Sequence, residues 1–190
     1  MLTSLIPIGA IPAAATTGDL VITGVVDGPL EGGLPKAVEL YVVNDIPDLG
    51  AYGVGAANNG GGTDGEEFGF PDGVAATAGE FIYLATEADG FESFFGFAPD
   101  FVHGGAASIN GDDAIELFLN GAVVDVFGDI AMSGTGQPWE YTDGWAYRVN
   151  GTGQDGTIFT LANWGFSGPN ALDGVATNAA AANPFPLGSY

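Results

Sequence analysis

The strongest constraint on the fold is the dipeptide Asn120-Gly121, which lies between two β-prone runs in the stretch SINGDDAIELFLNGAVVDVF at residues 108–127. Asn-Gly suits a two-residue type I′ turn because both central residues of that turn need a positive φ. Alternating residue types on both sides of the dipeptide are typical of strands with one buried face. The sequence therefore predicts a β-hairpin centred on this dipeptide.

A two-residue turn also predicts the pairing register of the hairpin. The expected pairs on the core face are Leu119 with Ala122, Leu117 with Val124 and Ile115 with Val126. The same register puts Glu116 directly opposite Asp125 on the other face. Like charges in this arrangement destabilise a strand pair unless a cation, salt or a proton relieves them. The pair is therefore a candidate ion site.

The composition favours an all-β chain that forms one domain. The 190 residues include 33 Gly and 11 Pro, and no long window has apolar residues at helical spacing. Further strands are predicted at residues 20–26, 38–43, 49–55 and 80–86. We expect residues 1–18 to form an extended arm and residues 19–188 a β-sandwich with a C-terminal extension. Because the chain has no Cys, disulfides and thiolate metal sites are excluded.

The charge balance limits the partners that the chain can bind. Lys36 and Arg148 are its two basic residues, against 24 acidic ones, and the net charge is -22. Such a surface repels phosphate backbones and anionic lipid, so neither nucleic acid nor a membrane surface is an expected partner. Salt screening, divalent cations or wide spacing must make the charge tolerable, which suits saline surroundings. A plain solubility role for the acidic surface is the alternative.

The first 18 residues, MLTSLIPIGAIPAAATTG, are apolar but contain Pro7 and Pro12, which prevent a regular helix or a central strand. An apolar arm on a soluble chain has to be buried, and in an assembly it is often buried against a neighbour. A cleaved secretory signal is the alternative, although no Lys or Arg precedes the apolar residues. No segment reaches the length of a membrane span, so membrane insertion is not expected. The candidate partner-binding residues of the arm are Leu2, Leu5, Ile6, Ile8 and Ile11.

The aromatic-rich segment FESFFGFAPDF at residues 91–101 has two interpretations. It can be a loop or short helix that plugs one end of the sandwich, or an exposed surface for a partner. The candidate partner-binding residues in the second case are Phe91, Phe94, Phe95 and Phe97.

Four segments in order, KAVELYVVND, DLGAY, PDGVAATAGEFIYL and INGDDAIELFLNGAVVDVFGD, resemble the lamin tail domain family. That family has an I/V-E-L-Y strand, a D-L-x-G-W/Y segment, a P-x-G-x-x-x-x-A-G-x-Y/F strand and an N-x-G-D-x-I/V-x-L hairpin. The resemblance covers residues 19–129. It implies an immunoglobulin-like β-sandwich used as a binding or assembly module. The chain lacks the basic surface of nuclear lamins, so a chromatin role is not expected.

The residues needed for common enzyme chemistry are scarce. Acyl transfer normally needs Ser, His and Asp together, and His103 is the single histidine. The sequence has no G-x-S-x-G, H-E-x-x-H or phosphate-binding loop, and one His without Cys disfavours zinc. We therefore expect a protein that is not an enzyme.

Calcium is the cofactor that the sequence supports best, because carboxylates and the carbonyls of Gly-rich loops are hard oxygen ligands. The candidates form three groups: Asp64, Glu66 and Glu67; Asp112 and Asp113; and Glu116 with Asp125. None of these groups has the spacing of an EF-hand loop. Solvated carboxylates at turns are the alternative interpretation.

These observations predict a structural protein that acts through its surfaces. A component of a virion, in the head, its decoration or the tail, fits the apolar arm and the acidic exterior, with other protein subunits as partners. The alternative is a secreted or cell-surface adhesion or matrix protein that binds calcium or glycans. A carbohydrate-binding module would need Trp139, Trp145 and Trp164 exposed on one face.

Overall fold

The computed structural model describes residues 14–190, so the predicted arm contacts of Leu2, Leu5, Ile6, Ile8 and Ile11 lie outside the described residues. The described chain is mostly β, with two sheets and one α-helix. The strands and the helix are β1 (Leu20–Leu30), β2 (Leu34–Val42), β3 (Tyr52–Ala57), β4 (Phe68–Gly69), β5 (Phe81–Ala85), α1 (Asp89–Phe95), β6 (Phe101–Val102), β7 (Ala114–Leu119), β8 (Ala122–Phe127), β9 (Gly144–Arg148) and β10 (Trp164–Phe166). Short 3-10 turns lie at Leu49–Ala51, Asn58–Gly60, Leu161–Asn163 and Asn178–Ala180.

The strands form a sandwich-like arrangement of two sheets. The first sheet has six strands in the order β10-β9-β1-β2-β5-β6, and the second has four in the order β4-β3-β7-β8. The β5–β6 pair is parallel, whereas the pairs β1–β2 and β7–β8 are antiparallel. The main core contains side chains from both sheets, including Ile22, Leu40, Val54, Leu117 and Phe127.

The inward faces of β1 and β2 lie in the main core. Val38, Leu40 and Val42 of β2 are buried in the main core, as their alternation with polar residues indicates. In β1 the pairing register shifts between Ile22 and Gly24, which brings Val25 into the same core. A β-bulge of this kind adds one residue to a strand and so reverses the faces beyond it.

The hairpin forms at the predicted dipeptide, where Asn120 has φ 51° and Gly121 has φ 76°. The predicted register holds only next to the turn. A bulge in β8 leaves Val124 without a partner, so Leu117 pairs with Asp125 and Glu116 with Val126. The predicted pairs Leu117–Val124, Ile115–Val126 and Glu116–Asp125 are therefore wrong.

A second core covers the outer face of the six-stranded sheet. It contains Phe91 and Phe94 of α1 together with Leu172 and Phe185 of the C-terminal segment. Phe91 and Phe94 are 0% and 1% exposed, so the aromatic-rich segment supplies core residues there rather than the exposed partner surface that was one prediction. Phe95 is partly buried beside them, and Phe97 is 36% exposed.

The three tryptophans do not form an exposed platform. Trp139 and Trp164 belong to the main core and Trp145 to the second core. An aromatic platform for sugars needs accessible ring faces, so these three residues do not provide the exposed face that a carbohydrate-binding module would need. Among residues 14–190, no helix has the length and apolar character needed to cross a membrane.

Candidate functional site

The only arginine of the chain lies between the two sheets. Arg148 is 1% exposed, and its Nη2 donates to Oδ1 and Oδ2 of Asp125 at 2.8 and 2.9 Å. Its Nε donates to the carbonyl of Ile22 at 2.6 Å. Asp125 also accepts from the backbone N–H groups of Ile22 and Asp155, at 2.9 and 2.7 Å. Burial raises the pKa of Asp125 to about 6, even though Arg148 and the N–H donors oppose the rise.

This ion pair ties β9 of the first sheet to β8 of the second. Nη1 of Arg148 lies 3.3 Å from Oδ1 of Asp155, and the guanidinium lies 4.5 Å from the ring centre of Trp164. Asp155 in turn accepts from Asn163 Nδ2 at 2.5 Å. A buried charge is tolerated when its partners are complete, as they are here. The cluster accounts for the bulge in β8, because the extra residue turns Asp125 toward Arg148.

Lys36, the other basic residue, is also used internally. Its Nζ donates to Asp27 at 2.8 Å, to the carbonyl of Ile109 and to Asn110 Oδ1 at 3.0 Å. Its side chain is 14% exposed. Lys36 and Arg148 are the full set of Lys and Arg in the sequence. The surface of the described chain therefore has many carboxylates and no free Lys or Arg.

Glu39 anchors the end of the chain from the outer face of β2. It is 1% exposed and accepts from Thr23 Oγ1 at 2.8 Å, Tyr147 Oη at 2.7 Å and the N–H of Gly188 at 2.9 Å. Burial raises the pKa of Glu39, although these hydrogen bonds work in the opposite direction. The carboxylate thus joins three strands to the C-terminal segment.

The raised pKa values predict an unusual dependence of stability on pH. Burial raises the pKa of four buried carboxyls, namely Asp27, Glu39, Asp113 and Asp125, and Asp19 opposes them with a lowered pKa. A raised pKa means that the folded state binds a proton at a pH where the unfolded state has already lost it. The free energy of unfolding then falls as pH rises through the raised pKa. Repulsion between surface carboxylates has the same sign.

We therefore expect the melting temperature to rise as pH is lowered from 7 to about 5. Thermal unfolding between these pH values, at low and high salt, measures the effect. Glu39→Gln should make the profile flatter at both salt concentrations, since it removes one of the shifted groups. A melting temperature that falls steadily below pH 7 would contradict the prediction.

The structure separates the predicted calcium ligands. Asp112 accepts from Ser133 and Thr135 at 2.7 and 2.8 Å, and Asp113 accepts from the N–H groups of Asn59 and Asn110 at 2.7 and 2.8 Å. These two carboxylates therefore hold loops together. Within residues 14–190, no group of three or more His, Asp or Glu side chains is placed to hold a metal ion.

In the loop at residues 64–67, one glutamate side chain accepts a backbone hydrogen bond and, within the described chain, the other does not. Glu67 accepts from the N–H of Ala56 at 2.9 Å, whereas the Glu66 side chain lies over Gly53 and Gly69. Asp64, Glu66 and Glu67 are all exposed. The loop therefore offers carboxylates to solvent along the edge of the second sheet.

Glu116 is the exception among the buried carboxylates. It is 2% exposed on the outer face of β7, and its Oε2 is buried without a hydrogen-bond partner. Its strand neighbour is Gly55, and the carbonyl of Gly65 lies directly over Gly55. The strand position opposite Glu116 is therefore covered by a carbonyl oxygen.

Sequence reasoning singled out Asp125 for the wrong partner and missed Arg148 and Asp155. One signal was available, since Arg148 stands in the apolar strand WAYR, where an unpaired charge would be costly. The single histidine has a local role: His103 Nδ1 accepts from the N–H of Ala106 at 3.1 Å, and its ring lies 5.5 Å from that of Phe68.

A comparison of the sequence with profiles of known protein families finds no match, and a comparison with curated proteins finds no similar protein.

Proposed function

We propose that this chain is a non-enzymatic structural subunit of a large assembly in saline surroundings. A virion component, in the head, its decoration or the tail, is the form of this proposal that fits best. Its fold is proposed to be the immunoglobulin-like sandwich of the lamin tail domain family. The resemblance supports this, because its most specific segments fall on β2 and on the β7–β8 hairpin.

The use of charge supports a role in assembly rather than catalysis. The two basic residues and most buried carboxylates are engaged in holding strands and loops together. The exposed carboxylates keep copies apart at low salt and allow approach when salt screens them.

One surface feature carries the proposal. A groove of about 340 Å³ lies at one end of the six-stranded sheet, with Val21, Tyr41, Val43 and Tyr190 among its lining residues. Val43 is 39% exposed, and Val149, next to the lining residue Asn150, is 47% exposed. Gly18 also lines the groove. A depression lined by both apolar and polar residues therefore lies close to the point where the described chain begins.

The proposed occupant is the apolar N-terminal segment of a second copy. The 13 residues before the described chain include no charged side chain. They include five Leu and Ile side chains, which are stabilised by burial away from water. Because the described chain begins at residue 14, close in sequence to the lining residue Gly18, a two-fold axis at the groove would let two copies exchange these segments. Apolar contacts of this kind also avoid the repulsion between acidic surfaces.

The deletion that tests this should stop at residue 13. Tyr52 Oη donates to the carbonyl of Thr16 at 2.7 Å, and Asp19 accepts from the N–H of Thr16 at 2.6 Å, so Thr16 belongs to the fold. We expect the full chain to form oligomers at high salt, and the chain lacking residues 1–13 to be monomeric. Size-exclusion chromatography with light scattering measures both.

Two substitutions locate the contact. Val43→Asp should abolish oligomers, because it places a charge in the groove. Val102→Asp is the matched control, since Val102 is 49% exposed on β6, in a different part of the sheet. A monomeric full chain under all conditions would refute the assembly proposal, as would undiminished oligomers without residues 1–13. If the deletion only lowers the melting temperature of a monomer, the segment covers its own chain and the proposal is also wrong.

A further inference from the structure

Glu116 differs from every other buried carboxylate in what surrounds it. Five others, Asp19, Asp27, Glu39, Asp113 and Asp125, each accept at least two hydrogen bonds. Among the described residues Glu116 has no donor on Oε2, although its exposure is only 2%. An ionised carboxylate in such a place is costly unless a positive charge or a proton compensates it.

Glycines in β3 shape the space beside Glu116. Gly53 and Gly55 lie on the outer face of the second sheet, and a Cβ atom at position 55 would collide with the Gly65 carbonyl oxygen. A Cβ atom at position 53 would collide with the side chain of Glu66. The absence of side chains on this face therefore lets residues 65 and 66 lie directly on the strand that pairs with Glu116.

The groups brought together here are acceptors. The Gly65 carbonyl receives no hydrogen bond from the described backbone, and Glu66 is exposed at the edge of the same loop. Asn58, where the loop begins, also has a buried Oδ1 without a partner. Carboxylate and carbonyl oxygens without donors are the kind of ligand that a hard cation binds.

We propose that Glu116 and the Gly65 carbonyl bind a divalent cation of the calcium type, with Glu66 at the solvent side of the site. Calcium accepts carboxylate and carbonyl oxygens in flexible geometry and retains water at its remaining positions. The net charge of -22 raises the cation concentration around the protein and so favours occupancy. The proposal is independent of the assembly role, since the groove near Val43 lies on the other sheet.

The test is calcium-dependent stability of the full chain at high salt, where weak binding to the surface is screened. We expect about 1 mM calcium chloride to raise the melting temperature by about 4 °C or more relative to EDTA. Isothermal titration should give one site per chain. Glu116→Gln should lose this site and the calcium-dependent shift, while its melting temperature in EDTA equals or exceeds that of the unmodified protein.

Two further variants separate the site from general charge effects. Gly55→Ala leaves the charge unchanged but displaces the Gly65 carbonyl, so it should weaken calcium binding about tenfold or more. Glu92→Gln removes an exposed carboxylate on α1 and should keep the full response. The proposal is refuted if Glu116→Gln retains the calcium shift. It is also refuted if calcium has no effect on the unmodified protein.

Discussion

Replacement of Arg148 by methionine is expected to lower the free energy of unfolding by about 3–5 kcal/mol, the range found when one partner of a buried ion pair is removed. The change leaves Asp125 fully buried without its positive partner and with both of its guanidinium hydrogen bonds lost, so the carboxyl must stay charged at a cost or take up a proton. It also removes the donor to the Ile22 carbonyl. Since whole domains are stable by only about 5–15 kcal/mol, this loss is a large part of the total.

Urea unfolding followed by tryptophan fluorescence measures this loss, because Trp164 lies next to the guanidinium. The matched control is the double variant Arg148→Met with Asp125→Asn. The amide oxygen of Asn can still accept from the N–H groups of Ile22 and Asp155, but the unpaired charge is gone. We expect the double variant to be more stable than Arg148→Met alone by about 1 kcal/mol or more. A single variant within about 1 kcal/mol of the unmodified protein would show that the ion pair does not hold the sheets together.

Phe185→Ala is expected to cost about 3–5 kcal/mol, because it empties the centre of the second core. The ring of Phe185 is 3% exposed and lies 5.4 Å from that of Tyr147 and 5.9 Å from that of Phe95. It also occupies the space that a side chain at Gly24 would need. Loss of the ring therefore leaves a cavity between the first sheet and the C-terminal segment.

Phe97→Ala is the control for this prediction, since Phe97 is 36% exposed at the edge of the same aromatic cluster. We expect it to cost less than about 1 kcal/mol. Thermal and urea unfolding of both variants give the comparison. Equal losses for the two variants would mean that the C-terminal segment contributes little to the second core. A second check is Gly24→Ala, which should destabilise the protein by overpacking the same contact.

The hairpin shows how far local sequence predicts this fold. The turn at Asn120-Gly121 forms as expected because its backbone angles depend on those two residues alone. The register fails three residues later, at Val124, because the bulge brings Asp125 to Arg148 in another sheet. Nothing between residues 108 and 127 carries information about that partner.

The aromatic segment shows the same limit for burial. The many Phe residues at positions 91–101 fit either burial in a core or exposure as a partner surface, so composition alone did not decide between the two. Phe91 and Phe94 become core because the C-terminal segment with Leu172 and Phe185 packs beside them. The C-terminal segment lies 78 to 94 residues later in the sequence, so its contribution was not visible from the aromatic segment itself.

The candidate cation site was predicted in part. Glu116 was selected as a carboxylate facing a like charge, whereas in the structure its strand partner is Gly55, which the Gly65 carbonyl covers. The selection rested on a strand pairing that the bulge removes. The proposed cation site instead depends on glycines in β3, which leave space for the Gly65 carbonyl. A glycine that only leaves space is hard to recognise from a sequence.

By itself, the sequence determined the mostly-β character, the position of the hairpin turn, the inward face of β2 and the strongly acidic surface, because each follows from residue type and short-range periodicity. Only the tertiary structure decided which charges are paired, which aromatic residues are buried and which carboxylate lacks a donor. The reason is physical. Burial and ion pairing depend on groups such as Arg148 and Asp125, which lie 23 residues apart in the chain and meet only when the two sheets pack together.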